Sequence, residues 1–483
     1  MTFAKRFEAG LNNFTNPFLE TIQPFKTKDV IIGLIIFPAV FAVFASLGTE
    51  ALSNGDAVVY LQQMQNLNFN ARAVHLGYYL LGAGFIRILP GSNDYAINLM
   101  NCFLGALSIM LVYFITFTIC HKRIPAIAAS ILLFTHYMFL ENSIYAEVYT
   151  PQVCFFLLSI LLWLLNKPIL ASLSFLLSFL ITPSAILALP CFFILRPRLR
   201  PLLLFCVVFL VLAVAAVFPF RQSYFFGSRG LFEAVNRPFS LNWALNKEGR
   251  EIFSSFFLCI PLVVAGLLEI FGRKQFRPFA FALLVLWLVT LFFAEKIRDV
   301  SPQLPLYTML CVVGGLGLGL LLRISNNKAY IKFIVYAVVI AVIFAVFING
   351  LNAFKGIRIL VKGNTAYRNA VIQISKVAEP DCLVIGNWNQ VTLFEHYLFR
   401  ESFKPNLINV ECIAGLYGGE QREQSVEMFK QAGIAGRQMW LLEAYPVLLE
   451  GLKQHGYKVS RFDFGQLDPE GLLSIYAANA KEK

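Results

Sequence analysis

Two carboxylates, Asp56 and Glu147, stand beside long apolar segments, where an acid has a chemical use. Asp56 lies in SNGDAVVYLQQM, just beyond the first apolar run, and Glu147 lies in NSIYAEVYTPQ, between the third and the fourth. A carboxylate at the edge of an apolar phase is costly to desolvate unless it has a partner or a task. One such task is to take the proton from an attacking hydroxyl group. We therefore treat the two acids as candidate catalytic residues.

Both acids also have structural explanations, which the sequence leaves open. Asp56 is a residue type that caps helices, and the helix would then begin at Ala57. Glu147 would be stabilised by the dipole of the fourth span, which begins just after it. That second role is compatible with catalysis.

The elements that must position these acids are membrane helices. Hydrophobic residues occupy 58% of the 483 positions and charged residues only 14%, whereas soluble domains carry about 25% charged residues. Runs such as Val30–Gly48, Pro201–Pro219 and Phe333–Gly350 approach the ~20 residues that cross about 30 Å of hydrocarbon. Such runs must be helical, because lipid offers no partner for free backbone groups. The first residues show no signal-peptide pattern, so we expect the first span to direct insertion.

The excess positive charge, +12, orients the helices. Lysine and arginine cluster in short loops, which is typical of cytoplasmic loops and not of nucleic-acid binding. Placing these loops inside predicts about eleven spans in the cell (inner or plasma) membrane, with a cytoplasmic N-terminus and an extracytoplasmic C-terminal domain. This topology requires a pair of short helices in Pro168–Leu195, broken near Thr182–Pro183, and an apolar stretch, His75–Leu89, that does not cross.

Several cations lie on the predicted outer side, against the orientation rule: Arg72, Arg221, Arg229, Arg237, Arg250, Lys296 and Arg298. Together they predict an anionic ligand outside the membrane. For any one of them, an ordinary solvated loop charge is the alternative.

The character of the chain changes near Lys355, which divides a transmembrane domain (1–354) from a soluble α/β domain (355–483). Buried strands are predicted at Cys382–Gly386 and Met439–Ala444, and two more at Tyr457–Phe462 and Leu472–Ala478. Helical patterns near 391–399, 423–431 and 446–455 alternate with them. Cys382 and Cys412 both lie in this domain, where a disulfide between them stays open.

Four motifs occur in a known order: Gly55-Asp56, HLGYYLLG (His75–Gly82), NLMNCFLGALS (Asn98–Ser108) and AEVYTPQ (Ala146–Gln152). In this order they resemble the bacterial and archaeal protein O-mannosyltransferase-like family, within the GT-C superfamily of membrane glycosyltransferases. The resemblance covers about the first 200 residues. Leu76 departs from it, because the family usually has a proline there, and this puts the placement of His75 in question.

The resemblance implies a role for each matching residue. Asp56 becomes the general base, and Glu147 becomes a second carboxylate that positions the acceptor or the sugar, with Tyr149 beside it at the helix start. His75 and Tyr78 become substrate-binding residues. In the wider superfamily, cations of late outer loops hold the donor phosphate, which implies this role for Lys296 and Arg298. Arg72 and Arg221, in earlier outer loops, are the second candidates for the same role.

The predicted function is inverting transfer of a sugar from a polyprenyl-phosphate-linked donor to an acceptor hydroxyl at the outer membrane face. The acceptor (protein, lipid or glycan) is left open. No nucleotide or redox cofactor is needed, because the lipid phosphate is already a leaving group. Some superfamily members use a divalent metal, which stays open here although two separated carboxylates make a weak site.

The main alternative is a lipid or glycan transporter or flippase without transferase activity. Transporters usually carry internal repeats and charges near the membrane midplane. The predicted spans have neither, and their polar residues concentrate at one face, which favours an interfacial enzyme. A non-catalytic scaffold is the third hypothesis.

Overall fold

The structure is a computed structural model that describes residues 25–48, 50–67, 74–195, 199–222, 238–240, 242, 246, 259–297, 301–324, 329–398, 405–410, 427, 431, 437–443, 445–464 and 473–480. These residues form two compact units. The first unit comprises the described residues of 1–48 and 63–357, and the second comprises those of 49–62 and 358–483. The segment that carries Asp56 therefore belongs to the unit that holds the C-terminal residues.

Fourteen helices lead from the N-terminus of the described chain to the sheet domain. They are α1 Thr27–Leu47, α2 Gly55–Asn66, α3 Leu76–Ile88, α4 Asn93–Cys120, α5 Arg123–Phe134, α6 Tyr137–Ile144, α7 Tyr149–Leu164, α8 Pro168–Ile181, α9 Leu189–Leu195, α10 Leu199–Val217, α11 Ile260–Gly272, α12 Arg277–Ile297, α13 Leu304–Ile324 and α14 Ala329–Val377. A 3₁₀ segment, Pro183–Ala188, joins α8 to α9.

Six helical segments of the described chain are long and apolar enough to cross a membrane, and a seventh is the α5–α6 pair, which bends by 68°. Five further apolar segments, which include α3, are shorter. The long segments account for up to seven of the about eleven predicted spans; the other four coincide with shorter apolar helices, whose crossing stays a prediction. The predicted break near Thr182 is confirmed, because α8 ends at Ile181 and Pro183 begins the next segment.

The long helix α4 is the centre of the first unit. Its apolar window is 83% buried, and it packs against α1, α3, α5, α6, α7 and α13. Exposed apolar residues lie on other helices, such as α10, where only Phe205, Phe209 and Ala213 are buried. Exposed aliphatic side chains are typical of helices that face lipid. Polar side chains buried on α4 therefore face protein and not lipid.

The last helix is much longer than its apolar run. The pattern predicts a span at Phe333–Gly350, whereas α14 continues to Val377 and has 49 residues, roughly 74 Å at 1.5 Å per residue. This length exceeds the ~30 Å of hydrocarbon by more than a factor of two. The unit boundary falls within this helix, between Ile357 and Arg358.

The second unit contains a mixed five-stranded sheet in the order β2-β1-β3-β5-β4. The strands are β1 Leu383–Gly386, β2 Asn406–Asn409, β3 Met439–Leu441, β4 Tyr457–Arg461 and β5 Tyr476–Ala480. β1 is parallel to β2 and β3, and β5 is antiparallel to β3 and β4. A strand is found at each of the four predicted places, although β3 ends at Leu441, before the predicted Ala444, and β5 begins at Tyr476, after the predicted Leu472. β2 has no predicted counterpart.

Two helices of this unit, α15 Trp388–His396 and α16 Pro446–Gln454, also match predicted ones. The third predicted helix, 423–431, lies largely outside the described residues. The core of the domain is formed by apolar residues of the strands and of α16: Leu383, Ile385, Ile408, Met439, Leu441, Leu452, Tyr457 and Ala478. Cys382 is a free, buried thiol, and Cys412 lies outside the described residues.

Candidate active site

Glu147 lies in the short connection between α6 and α7, and the side chain of Asn101 holds this connection. The amide nitrogen of Asn101 donates to the carbonyl oxygens of Asn142 at 3.2 Å, Tyr145 at 2.5 Å and Glu147 at 2.6 Å. Asn101 is fully buried on α4. Because a buried backbone carbonyl needs a donor, a single side chain on the central helix fixes the path of the backbone through Glu147.

Tyr78 extends this network to α3. Its hydroxyl donates to Oδ1 of Asn101 at 3.2 Å, and its ring is fully buried. The carboxylate of Glu147 is near enough to Tyr78 for the two groups to interact electrostatically. Glu147 itself is half-buried. The hydrogen bonds thus join α3, α4 and the connection before α7 at the backbone of Glu147.

A close approach of helices brings the connection to α4. A Cβ atom built on Gly105 would lie 2.6 Å from the Cβ of Ser143, which is shorter than any normal contact. Only glycine permits this packing of α4 against α6. The hydroxyl of Ser143 donates to the carbonyl of Phe139 at 2.6 Å and lies 3.4 Å from the hydroxyl of Thr150, in the first turn of α7.

His75 and Gln152 tie α8 to the same end of the bundle. His75 precedes α3, and its Nδ1 lies 2.7 Å from the carbonyl oxygen of Ile181, the last residue of α8. The hydroxyl of Ser178 donates to the carbonyl of Gln152 at 2.9 Å, and the amide of Gln152 donates to Ser184 at 3.3 Å. The first unit therefore gathers polar groups of α3, α4, α7 and α8 at one end of the bundle.

Asp56 lies in the first turn of α2, in the second unit. The cap of this helix is Asn54, whose Oδ1 accepts the N–H of Ala57 at 2.8 Å. The alternative in which Asp56 is the cap of a helix that begins at Ala57 is therefore wrong. The helix begins two residues earlier, at Gly55, and Asn54 accepts the hydrogen bond of a first-turn N–H group. The helix dipole still favours a carboxylate at this position.

The second unit holds the backbone before Asp56 at two points. The N–H of Gly55 donates to Oδ1 of Asn389 at 3.0 Å, and the N–H of Leu52 donates to the hydroxyl of Tyr397 at 2.6 Å. A Cβ atom on Gly55 would lie 2.9 Å from the ring of Trp388, so the Gly-Asp pair needs its glycine for close packing. Glu147 belongs to the first unit, and the convergence of the two carboxylates stays a prediction.

The structure describes the predicted phosphate-binding cations only in part. Arg221 is exposed just after the 3₁₀ turn Phe218–Phe220 that follows α10, and its guanidinium lies 4.6 Å above the ring of Phe218. Lys296 lies on α12, and Arg72 and Arg298 lie outside the described residues. Tyr149, the predicted neighbour of Glu147, is the first residue of α7.

Sequence reasoning missed two buried polar residues. Asn101 lies within a motif that predicts no role for it, although a buried asparagine in an apolar span is itself a signal, because its amide must find partners. Glu295 has no predicted role either. It is 1% exposed, and its Oε1 accepts the backbone N–H of Ser240 at 2.9 Å. Within the described residues, no group of three or more His, Cys, Asp and Glu side chains is arranged to hold a metal ion.

Similarity to solved structures adds to this geometry. No family model matches the sequence, and no curated protein matches it either. ArnT from Cupriavidus metallidurans bound to undecaprenyl phosphate is similar with a TM-score of 0.60 and 11% identity, over 95% of this chain and 99% of ArnT. The chain has a GT-C-like membrane fold.

Two further structures share the GT-C-like fold. The apo state of the same ArnT has a TM-score of 0.56 and 12% identity, over 95% of this chain and 99% of ArnT. The arabinofuranosyltransferase AftD from Mycobacteria has a TM-score of 0.55 and 11% identity, over 95% of this chain and 40% of AftD. The predicted fold class, a polytopic helical membrane protein with a small C-terminal α/β domain, is therefore confirmed. Membership of the O-mannosyltransferase-like family stays a prediction.

Proposed function

We propose that the protein is an inverting glycosyltransferase that moves a sugar from a polyprenyl-phosphate-linked donor to an acceptor hydroxyl at the outer membrane face. The observation that carries this proposal is the network at Glu147: Asn101, which is bonded to Tyr78, holds the backbone of this half-buried acid inside an apolar GT-C-like bundle. Each buried polar group must find a partner, and here the hydrogen bonds converge on the connection that carries an acid.

The fold supports the class of donor. The GT-C-like fold extends over 95% of the chain, and the structure of ArnT with the same fold was determined with undecaprenyl phosphate bound. A donor of this kind places its sugar and phosphate at the membrane surface and its chain in lipid. Carboxylates beside membrane spans could act on the sugar at the membrane surface while the polyprenyl chain of the donor stays in lipid.

In the proposed reaction, the oxygen of the acceptor hydroxyl forms a bond to the anomeric carbon of the sugar. The proton of that hydroxyl passes to the carboxylate of Asp56. The bond between the anomeric carbon and the phosphate oxygen breaks, and its electron pair leaves with the polyprenyl phosphate. A single displacement of this kind inverts the anomeric configuration. Glu147 would position the acceptor or the sugar through its hydroxyl groups.

Two features of the second unit support the role of Asp56. Because Asn54 caps α2, the helix does not need the carboxylate of Asp56 as its cap. The backbone before Asp56 is held by Asn389 and Tyr397, which is the kind of support that a positioned base requires. Cations of the outer loops, with Lys296 and Arg298 first among them, would stabilise the phosphate that leaves.

The test uses the full-length protein, purified in detergent, with a panel of polyprenyl-phosphate sugars and a mixture of lipid and peptide acceptors. We expect release of free polyprenyl phosphate together with a new glycoside of inverted configuration. Glu147→Gln should greatly reduce the release, whereas the control Glu141→Gln, which makes the same charge change on α6, should not. Movement of the lipid-linked sugar across proteoliposome membranes without any release would contradict the proposal and favour a flippase.

A further inference from the structure

A basic crevice lies at the end of the bundle that is remote from Glu147. It is a cavity of about 540 Å³ whose lining includes Lys26, Asp29, His121, Lys122, Arg123 and Leu322. Asn101 and His121 are twenty positions apart along α4 and its C-cap, which corresponds to about 30 Å of helix. The crevice is thus separated from the candidate active site by about the thickness of the hydrocarbon core.

The one acid in the lining of the crevice is already neutralised. Asp29 is fully buried, and its Oδ1 lies 2.7 Å from Nε of Arg123. Its Oδ2 accepts the backbone N–H of Lys26 at 3.2 Å. Arg123 and Asp29 cancel each other, whereas the side chains of Lys26 and Lys122 add two positive charges to the same lining.

A smaller cavity of about 130 Å³ continues the basic surface. It shares His121 and Lys122 with the crevice and is also lined by Arg273 and Arg323. Glu269 is 6% exposed and lies between these arginines, at 2.9 Å from Arg273 and 3.0 Å from Arg323. Two arginines against one carboxylate leave a further positive charge here, so that the linings of the two cavities carry five Lys and Arg and two acids.

The apolar lining indicates what kind of anion fits. The first turn of α5 and the last turn of α4 both line the crevice, so a positive and a negative helix end face it, and the net positive charge comes from the side chains. Phe117, Ile124 and Leu322 add apolar surface. A small inorganic anion would leave that surface uncovered, whereas an amphiphile with a charged head would cover it.

We propose that this crevice binds the phosphate of an anionic phospholipid, with the glycerol and the start of the acyl chains against Phe117, Ile124 and Leu322. Lipid binding in this crevice does not depend on sugar transfer, so this proposal does not rest on the proposed function. The lysines supply the attraction for a net negative head group, and a zwitterionic head group with its own cation gains little from them.

The test is native mass spectrometry of the full-length protein in detergent, titrated with phosphatidylglycerol, phosphatidylcholine or inorganic phosphate. The variant Lys26→Gln/Lys122→Gln removes the two lysines of the crevice. Its matched control, Lys167→Gln/Lys274→Gln, removes two exposed lysines that line neither cavity. We expect the affinity for phosphatidylglycerol to fall by about fivefold per lysine in the first variant, the factor that a cation near an anionic lipid contributes.

The control variant should bind phosphatidylglycerol like the wild type, and both proteins should bind phosphatidylcholine more weakly than phosphatidylglycerol. Three results would overturn the proposal. One is equal affinity for the two lipids in the wild type, and another is an unchanged phosphatidylglycerol affinity in the crevice variant. The third is displacement of phosphatidylglycerol by an equal concentration of inorganic phosphate, which would assign the site to a free anion.

Discussion

Replacing Asn101 by leucine should loosen the connection between α6 and α7 while the helices stay in place. The amide group has two hydrogens, which three backbone carbonyl oxygens within 3.2 Å share, so about two full hydrogen bonds are lost. Each buried carbonyl left without a donor costs about 1–3 kcal/mol. We therefore expect local opening of residues 142–148 to become easier by about 2–6 kcal/mol.

Hydrogen–deuterium exchange measures this opening directly. Because 1.4 kcal/mol corresponds to a factor of ten, the amides of residues 142–148 should exchange about 30- to 20,000-fold faster in the variant. The control is Ser108→Ala, also buried on α4, whose hydroxyl donates to the carbonyl of Leu104 in its own helix at 2.8 Å. Exchange in the connection should be nearly unchanged in this control.

Two further variants separate the donor from the acceptor of Asn101. Asn101→Asp keeps an oxygen for the hydroxyl of Tyr78 but loses the donor, so it should accelerate exchange like the leucine variant. Tyr78→Phe removes one hydrogen bond to the side chain and should have a much smaller effect on the connection. Unchanged exchange at residues 142–148 in both Asn101 variants would refute the reasoning that this side chain fixes the backbone of Glu147.

Three other changes test the units separately. Gly55→Ala should lower the free energy of unfolding by about 1–3 kcal/mol, the usual effect of overpacking, because the added carbon would meet a tryptophan ring at 2.9 Å. The control Gly363→Ala should not lower it, because its added carbon meets nothing within 4 Å. Glu269→Gln should lower the melting temperature in detergent, because two arginines then lose their shared carboxylate; since both are partly exposed, we expect a cost of about 1–2 kcal/mol. Burial raises the pKa of Cys382 to about 12, so its thiol should resist maleimide at pH 8 until the protein is denatured. The mass of the peptide that contains Cys382 measures the labelling. Rapid labelling of the folded protein would contradict this prediction.

Much of the fold could be predicted because apolar length and strand periodicity are local properties of the sequence. The break before Pro183 follows from the proline, and β1 and β3 follow from short runs of buried aliphatic residues. The length of α14 could not be predicted in this way, because its second half is amphipathic and gains its stability from packing. β2 has only one buried residue in four, so its sequence carries little strand signal, and pairing with β1 determines it.

The candidate site could be predicted only as a set of residue types. Asp56 and Glu147 stand out in the sequence, because acids are rare beside apolar runs. The hydrogen bonds of Asn101 join residues that are more than forty positions apart, and no local pattern encodes such a contact. The attachment of the Gly55-Asp56 segment to Asn389 and Tyr397 is more distant still.

The central claim is that Asp56 accepts the proton of the attacking hydroxyl, and the rate of polyprenyl phosphate release in Asp56→Asn tests it most directly. A general base contributes about 10²–10⁴-fold, so the rate should fall by this factor while the melting temperature stays that of the wild type. The control Asp94→Asn makes the same change in the first turn of α4 and should leave the rate unchanged. A wild-type rate in Asp56→Asn would contradict the account.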